Sequence, residues 1–170
     1  MFNETDKAAI KKGMRTLWLT WAALMGSLLI YLFVAHATGE EIKPYMGEDF
    51  PLELLRNILY GISIIELFLA HFLRKFIINS KNTGVSAELL KYNTQINQPP
   101  FVTKYTLAVM ISLALAVSIA IYGLVLFLIG ADYQTLYTFI VVSALAMFFY
   151  RPRRAQLEEL AMADQPEMMI

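Results

Sequence analysis

Four long apolar runs constrain this chain more than any other feature. They cover about residues 17–35, 52–73, 105–129 and 134–150. Because a helix rises about 1.5 Å per residue, roughly 20 apolar residues cross the ~30 Å hydrocarbon core of a bilayer. Hydrophobic residues make up 58% of the chain, against about 45–50% in an ordinary soluble domain. The sequence therefore predicts an all-α, polytopic membrane protein with four transmembrane helices.

The segments between the runs predict a single domain over 1–170. In a chain of 170 residues, four spans leave no room for a separate soluble domain. The longest connection, 76–104, is predicted as a cytoplasmic loop, and 151–170 as a short cytoplasmic tail that begins as a helix. Because only 130–133 separate the last two runs, these runs are expected to form an antiparallel hairpin.

Basic residues cluster in three segments that flank the runs. They are Lys7, Lys11, Lys12 and Arg15, then Arg74, Lys75, Lys81, Lys91 and Lys104, and finally Arg151, Arg153 and Arg154. The two remaining connections hold Lys43 as their single basic residue. Since positive segments stay inside, both termini are predicted to be cytoplasmic. The short basic start and the cysteine-free chain favour a bacterial inner membrane.

The first run has a second interpretation, as a cleaved signal peptide. Residues 35–37 read small-x-small after a basic start, which is typical of a cleavage site. The apolar stretch is longer than a signal-peptide core, and Trp18, Trp21 and Tyr31 are typical of a span anchored at the interface. We therefore expect a membrane span.

A weak internal duplication relates the first and third runs. Ser27 and Tyr31 recur, with the same spacing, as Ser118 and Tyr122. Two tandem hairpins related by an axis along the membrane normal would produce this repeat. Chance similarity between apolar helices is the alternative.

Glu66 is the predicted buried ionisable residue. It lies about eight residues, or roughly 12 Å, from the cytoplasmic end of its run. Ser112 and Ser143 are predicted at a similar depth. A proton- or cation-binding carboxylate, whose protonated form desolvation would favour, is one hypothesis. A neutral glutamic acid that sets helix register by bonding to serine is another, and a contact with a partner subunit is the third.

Arg56 and Asp132 are predicted near the opposite, outer end. Arg56 is ten residues from Glu66, about 15 Å along the helix, so the two cannot pair. Arg56 is expected to reach the outer interface, or to pair with Glu53 or an acid of the first connection. Asp132 is expected to be a turn residue.

No cofactor, metal site or catalytic residue is predicted. The chain has no cysteine, which excludes disulfides, thiolate zinc sites, iron–sulfur clusters and cysteine nucleophiles. Two imidazoles could hold a b-type haem. However, His36 is predicted at the outer end of the first run and His71 near the inner end of the second. A haem would therefore have to be shared between subunits.

The third run carries a stripe of small residues at helical spacing, Ala108, Ser112, Ala116, Ala120 and Gly123. Small side chains let helix backbones approach closely in lipid. The stripe is predicted to be a packing face, either inside the chain or for assembly with another copy or another protein.

Residues 114–126, which include Tyr122-Gly123-Leu124, resemble the ion-binding helix of the proteolipid rotor-ring subunits of F- and V-type ATPases. In that family a carboxylate precedes a small residue and a Tyr-Gly-Leu segment. Val117 stands at the position of that carboxylate, so this helix could not hold an ion as the family does. The resemblance implies a four-span, two-hairpin form with Glu66 on the second helix of a hairpin.

Three functions follow from these patterns. The first is a non-catalytic subunit or assembly factor of a larger membrane complex. The second is a proton- or cation-translocating, proteolipid-like subunit that uses Glu66. The third is a quinone- or haem-associated membrane anchor. The expected partners are the lipid bilayer and other membrane subunits or further copies of the chain, and no nucleic acid.

Overall fold

The computed structural model describes residues 4–39, 51–79 and 99–163. In this part of the chain it contains five helices and no strand, which confirms the all-α prediction. They are α1 (Glu4–Thr38), α2 (Leu52–Asn79), α3 (Pro100–Gly130), α4 (Tyr133–Phe149) and α5 (Arg154–Ala163). The first four follow the predicted apolar runs, and α5 is the predicted helix of the tail. Residues 80–98, which make up most of the loop predicted over 76–104, lie outside the described residues.

Among the described residues, two helices are long and apolar enough to cross a membrane, which indicates a membrane protein. These are α1 over Lys7–Thr38 and α3, and α4 with α5 would be a third span bent by 45°. α2 is not among them. It carries Glu66 within its apolar stretch and Arg74 and Lys75 near its end.

α3 is the central helix of the fold, since α1, α2, α4 and α5 all pack against it. Its most apolar window has a mean hydropathy of 2.6, against 1.9 in α1. α3 and α4 form the predicted antiparallel hairpin. α1 and α2 lie on different sides of it and pack far more closely against α3 than against each other. The predicted hairpin of α1 with α2 is therefore not what the structure has.

Both flanking helices also contact α4. Trp21 of α1 donates from Nε1 to the Met147 carbonyl at 2.9 Å. On the other side, the rings of Tyr60 and Phe139 stack with centroids 4.7 Å apart. The α3–α4 hairpin is thus held between two helices that pair with it independently.

A tight turn joins α3 to α4. Ala131 adopts a left-handed conformation with φ 52°, and its N–H donates to the Phe127 carbonyl. Asp132 then caps α4 by accepting from the Thr135 N–H at 3.2 Å. Asp132 was predicted to be a turn residue. In the structure it is the N-cap of α4, in which a carboxylate oxygen accepts from a free helix N–H.

The small-residue stripe of α3 lies inside the chain. All five members, Ala108, Ser112, Ala116, Ala120 and Gly123, are buried. At Gly123 an added Cβ would lie 2.5 Å from the Phe139 Cβ of α4, and the Ser143 hydroxyl of α4 donates to the Ala116 carbonyl at 2.6 Å. The stripe packs the chain against itself, which leaves other faces for lipid or partners.

Gly123→Ala should destabilise the hairpin by about 1–3 kcal/mol, because overpacking forces backbones apart. Gly61→Ala is the matched control. Gly61 lies in α2, and a Cβ added there would meet no neighbouring side chain within 4 Å. Its replacement should therefore be neutral or stabilise by about 0.5–1 kcal/mol. Unfolding in mild detergent measures both. Equal effects of the two substitutions would contradict close packing at Gly123.

Candidate functional site

Glu66 meets two hydroxyl groups of α3. The Tyr122 hydroxyl donates to Glu66 Oε1 at 2.6 Å, and the Ser118 hydroxyl lies 2.8 Å from Oε2. The carboxyl group is thereby bonded on both oxygens, and all three side chains are partly buried. These contacts join the middle of α2 to the middle of α3.

The spacing of residues on both helices explains this contact. Ser118 and Tyr122 are four residues apart, so they project from one face of α3, one above the other. On α2 the buried residues Ser63 and Ala70 bracket Glu66 on the side that faces α3. Their small side chains allow α3 to approach closely, which brings the carboxyl group within reach of both hydroxyls.

Ser112 and Ser143 use their hydroxyls elsewhere. Ser112 donates to the Ala108 carbonyl in its own helix at 2.8 Å, and Ser143 donates across to Ala116. Both side chains are completely buried, at 0% exposure. The predicted kind of partner for Glu66, a hydroxyl, is present, but the residues that supply it are Ser118 and Tyr122. Ser112 and Ser118 are six residues apart, about 120° around α3, so they project from different faces of the helix.

The end of the bundle where α3 turns into α4 holds an ion pair. Arg56 Nη1 lies 3.6 Å from Asp132 Oδ2, with both side chains about one-third exposed. Arg56 therefore pairs with an acid of the turn between α3 and α4. The prediction was that it reaches the interface, or pairs with Glu53 or an acid of the first connection, of which residues 40–50 lie outside the described part of the chain.

Several contacts act on the Asp132 carboxyl. Partial burial raises its pKa, but hydrogen bonds from the Thr135 hydroxyl, the Thr135 N–H and the Gln134 N–H outweigh this, and Arg56 adds attraction. The net pKa is lowered from its ordinary value of 3.8. These donors and the arginine all favour the ionised form.

The histidines do not meet. His36 Nε2 lies 3.4 Å from the Tyr137 hydroxyl, and its Nδ1 lies 3.2 Å from the Leu32 carbonyl, near the end of α1. His71 is exposed on the second half of α2. In the described part of the chain, no group of three or more histidine, cysteine, aspartate or glutamate residues is placed to hold a metal ion.

The other end of the bundle contains a buried arginine. Arg74 donates from Nη1 to the Tyr150 carbonyl at 2.9 Å and from Nη2 to Gln156 Oε1 at 2.8 Å. Its guanidinium carbon also lies 5.8 Å from the centroid of the Tyr150 ring. Arg74 thus ties the end of α2 to the junction of α4 and α5.

Tyr105 holds the same junction from α3. Its hydroxyl accepts from the Arg153 N–H at 2.7 Å and donates to the Arg153 carbonyl at 2.9 Å. Tyr105 is completely buried. This hydroxyl therefore satisfies both backbone groups of Arg153, immediately before α5 begins.

Sequence reasoning overlooked Ser118, Tyr122, Arg74 and Tyr105 as linked residues. The first pair had a usable signal, because two hydroxyls four residues apart in an apolar helix form one polar face. Arg74 and Tyr105 had no such signal. They belong to different helices, and their partners include backbone groups of a turn.

Comparisons of the chain with protein-family models, with curated proteins and with solved structures found no match. The resemblance of residues 114–126 to rotor-ring proteolipids therefore stays a prediction.

Asp132→Ala should destabilise the folded protein by about 0.5–2 kcal/mol, because α4 loses its N-cap. Asp132→Asn keeps a capping oxygen but no charge, so it should cost less.

A lowered pKa of the Asp132 carboxyl stabilises the fold above the unfolded value of 3.8, and this contribution is lost as the pH falls through the folded value. The advantage of the wild type over Asp132→Asn should therefore shrink below about pH 4. Detergent unfolding curves from about pH 3 to 7 measure this difference; a constant difference would contradict it.

Proposed function

We propose that the chain is a small, non-catalytic subunit of a larger membrane complex, in which Glu66 binds a proton within the membrane. The observation that carries this proposal is the partly buried carboxyl group bonded between two hydroxyls where the middles of α2 and α3 meet. An ionisable side chain in such a place is expensive and marks function by default. Both termini are proposed to be cytoplasmic, in a bacterial inner membrane, with α2 as a fourth span.

The distribution of charge supports this orientation. Gly13 packs near Val102 and Arg74 reaches Tyr150, so the starts of α1 and α3 and the ends of α2 and α4 share one end of the bundle. That end carries the described basic segments. The opposite end, where Arg56 meets Asp132, has few basic residues. Positive residues concentrated at one end favour a cytoplasmic location for it.

The exposed faces support a membrane setting. Phe33 of α1 and Phe68 of α2 are each 73% exposed, and Leu145 of α4 is 65% exposed. Exposed apolar side chains of this size on several helices are suited to lipid tails or to the helices of other subunits.

The local resemblance adds to the proton-binding part. In the rotor-ring subunits that residues 114–126 resemble, this segment binds the transported ion beside a carboxylate. Val117 stands at the position of that carboxylate. Here the acid comes from α2, since Glu66 contacts the neighbouring Ser118.

Glu66→Gln distinguishes proton binding from a role in helix register. Glutamine can accept from Tyr122 and bond to Ser118, so the helices should keep their register and the stability should change by less than about 1 kcal/mol. The side chain can no longer take up a proton. In pH-dependent infrared difference spectra of the reconstituted protein, the wild type should show a carboxylic acid C=O band that the variant lacks.

Glu53→Gln is the matched control for that experiment. Glu53 lies on the same helix but is exposed in its first turn, so its removal should leave the Glu66 band unchanged. A wild-type spectrum without a titrating band that depends on Glu66 would contradict proton binding and favour the register role.

The subunit role predicts a stable complex in native membranes. After extraction in mild detergent, a tagged chain should co-purify with other membrane proteins identified by mass spectrometry. Glu66→Gln should assemble to the same extent and abolish ion-coupled activity of that complex. A chain that runs alone as a monomer would contradict the subunit role, and unchanged activity of the assembled variant would contradict proton transfer.

A further inference from the structure

Ser118 has two acceptors but only one hydroxyl proton. Its Oγ lies 2.8 Å from Glu66 Oε2 and 2.7 Å from the Leu115 carbonyl of its own helix. A serine hydroxyl can donate one hydrogen bond and accept up to two. It can therefore donate to only one of these oxygens at a time. When it donates to Leu115, the contact with Glu66 is a hydrogen bond only if Oε2 carries a proton.

The following inference rests on the proposed proton binding. We propose that Glu66 takes up its proton on Oε2, and that the Ser118 hydroxyl then turns from Glu66 to the Leu115 carbonyl, so that Ser118 Oγ accepts a hydrogen bond from the protonated Oε2. When Glu66 is ionised, Ser118 donates to Oε2 and Tyr122 donates to Oε1. When Oε2 is protonated, its O–H donates to Ser118, and Ser118 donates to Leu115. One proton is added, one hydrogen bond reverses, and Tyr122 keeps its bond to Oε1.

The two carboxyl oxygens of Glu66 differ in whether the hydroxyl that contacts them has a second acceptor for its own proton. Protonation of Oε1 would make it donate to Tyr122, whose own proton would then need a second acceptor. Within the described residues, the hydrogen bond that the Tyr122 hydroxyl makes is the one to Glu66. Ser118 has such an acceptor in Leu115, because a backbone carbonyl oxygen in a helix can accept a second bond from a serine hydroxyl.

Neighbouring charges do not decide the position of the proton. From α3, the titratable group that faces Glu66 is Tyr122. From α4, the Tyr150 hydroxyl donates to the Leu67 carbonyl, and phenols are uncharged at neutral pH. On α2 itself, Arg56 bonds at the outer end and Arg74 at the inner end.

Tyr60 lies six residues before Glu66 on α2 and stacks on Phe139, and His71 lies five residues after it. That spacing turns His71 well away from Glu66 around the helix, and its side chain is exposed. The direction of one hydroxyl is thus enough to accommodate both forms of the carboxyl without any change in helix packing.

The infrared band of protonated Glu66 tests this assignment through two variants of the reconstituted protein. In Tyr122→Phe the carbonyl oxygen Oε1 loses its donor, so the C=O band should move to higher frequency. In Ser118→Ala the donor to Oε1 remains, so the band should move less.

Matched controls come from α1, where Ser27 and Tyr31 repeat the same spacing. Ser27 donates to the Leu24 carbonyl at 2.7 Å, as Ser118 can to Leu115, so Ser27→Ala and Tyr31→Phe should leave the Glu66 band unchanged. Ser118→Thr keeps the hydroxyl and should restore the wild-type band, which separates the loss of a hydrogen bond from a packing change.

A larger shift of the C=O band in Ser118→Ala than in Tyr122→Phe would place the proton on Oε1 and overturn the proposal. Equal shifts in both variants would overturn it as well. These results differ from the failure of the proposed function, in which the wild type itself would show no titrating band from Glu66.

Discussion

A carboxyl group within an apolar helix bundle costs free energy unless the chain supplies hydrogen-bond partners for it. Glu66 obtains its partners from one face of α3, and this requirement sets how the two helices must be turned toward each other. The same condition holds elsewhere. No buried side-chain nitrogen or oxygen among the described residues lacks a partner. Satisfying polar groups within the bundle is the constraint on which the arrangement of α2 depends.

Close packing around α3 makes these contacts feasible. Small residues on the side of α3 that faces α4 bring the hairpin together, and small residues on α2 leave room for the Glu66 side chain. Because van der Waals packing is the main attraction between helices in lipid, the most apolar helix can serve as a common partner for all the others. The polar contacts then select which rotation of each flanking helix is adopted.

The two ends of the bundle are closed by different means. At one end, an exposed ion pair of Arg56 with Asp132 joins α2 to the turn before α4. At the other, Arg74 and Tyr105 bond to backbone groups of the turn between α4 and α5. A buried arginine left without these acceptors would be strongly destabilising. The ends therefore hold α2 and α3 in place, while the Glu66 contacts join them at mid-height.

The sequence by itself determined the elements: the helices, their approximate bounds, the α3–α4 hairpin, the small-residue packing face and the place of Glu66 within an apolar run. These features depend on local hydrophobicity and on the length of the connections, and both can be read directly from the sequence. The tertiary structure decided that α1 and α2 pack against the hairpin and not against each other, and that Ser118 and Tyr122 rather than Ser112 and Ser143 meet Glu66. All four hydroxyls are compatible with an apolar helix. Which of them faces α2 depends on how each helix is rotated about its axis, and that rotation results from packing between helices distant in sequence.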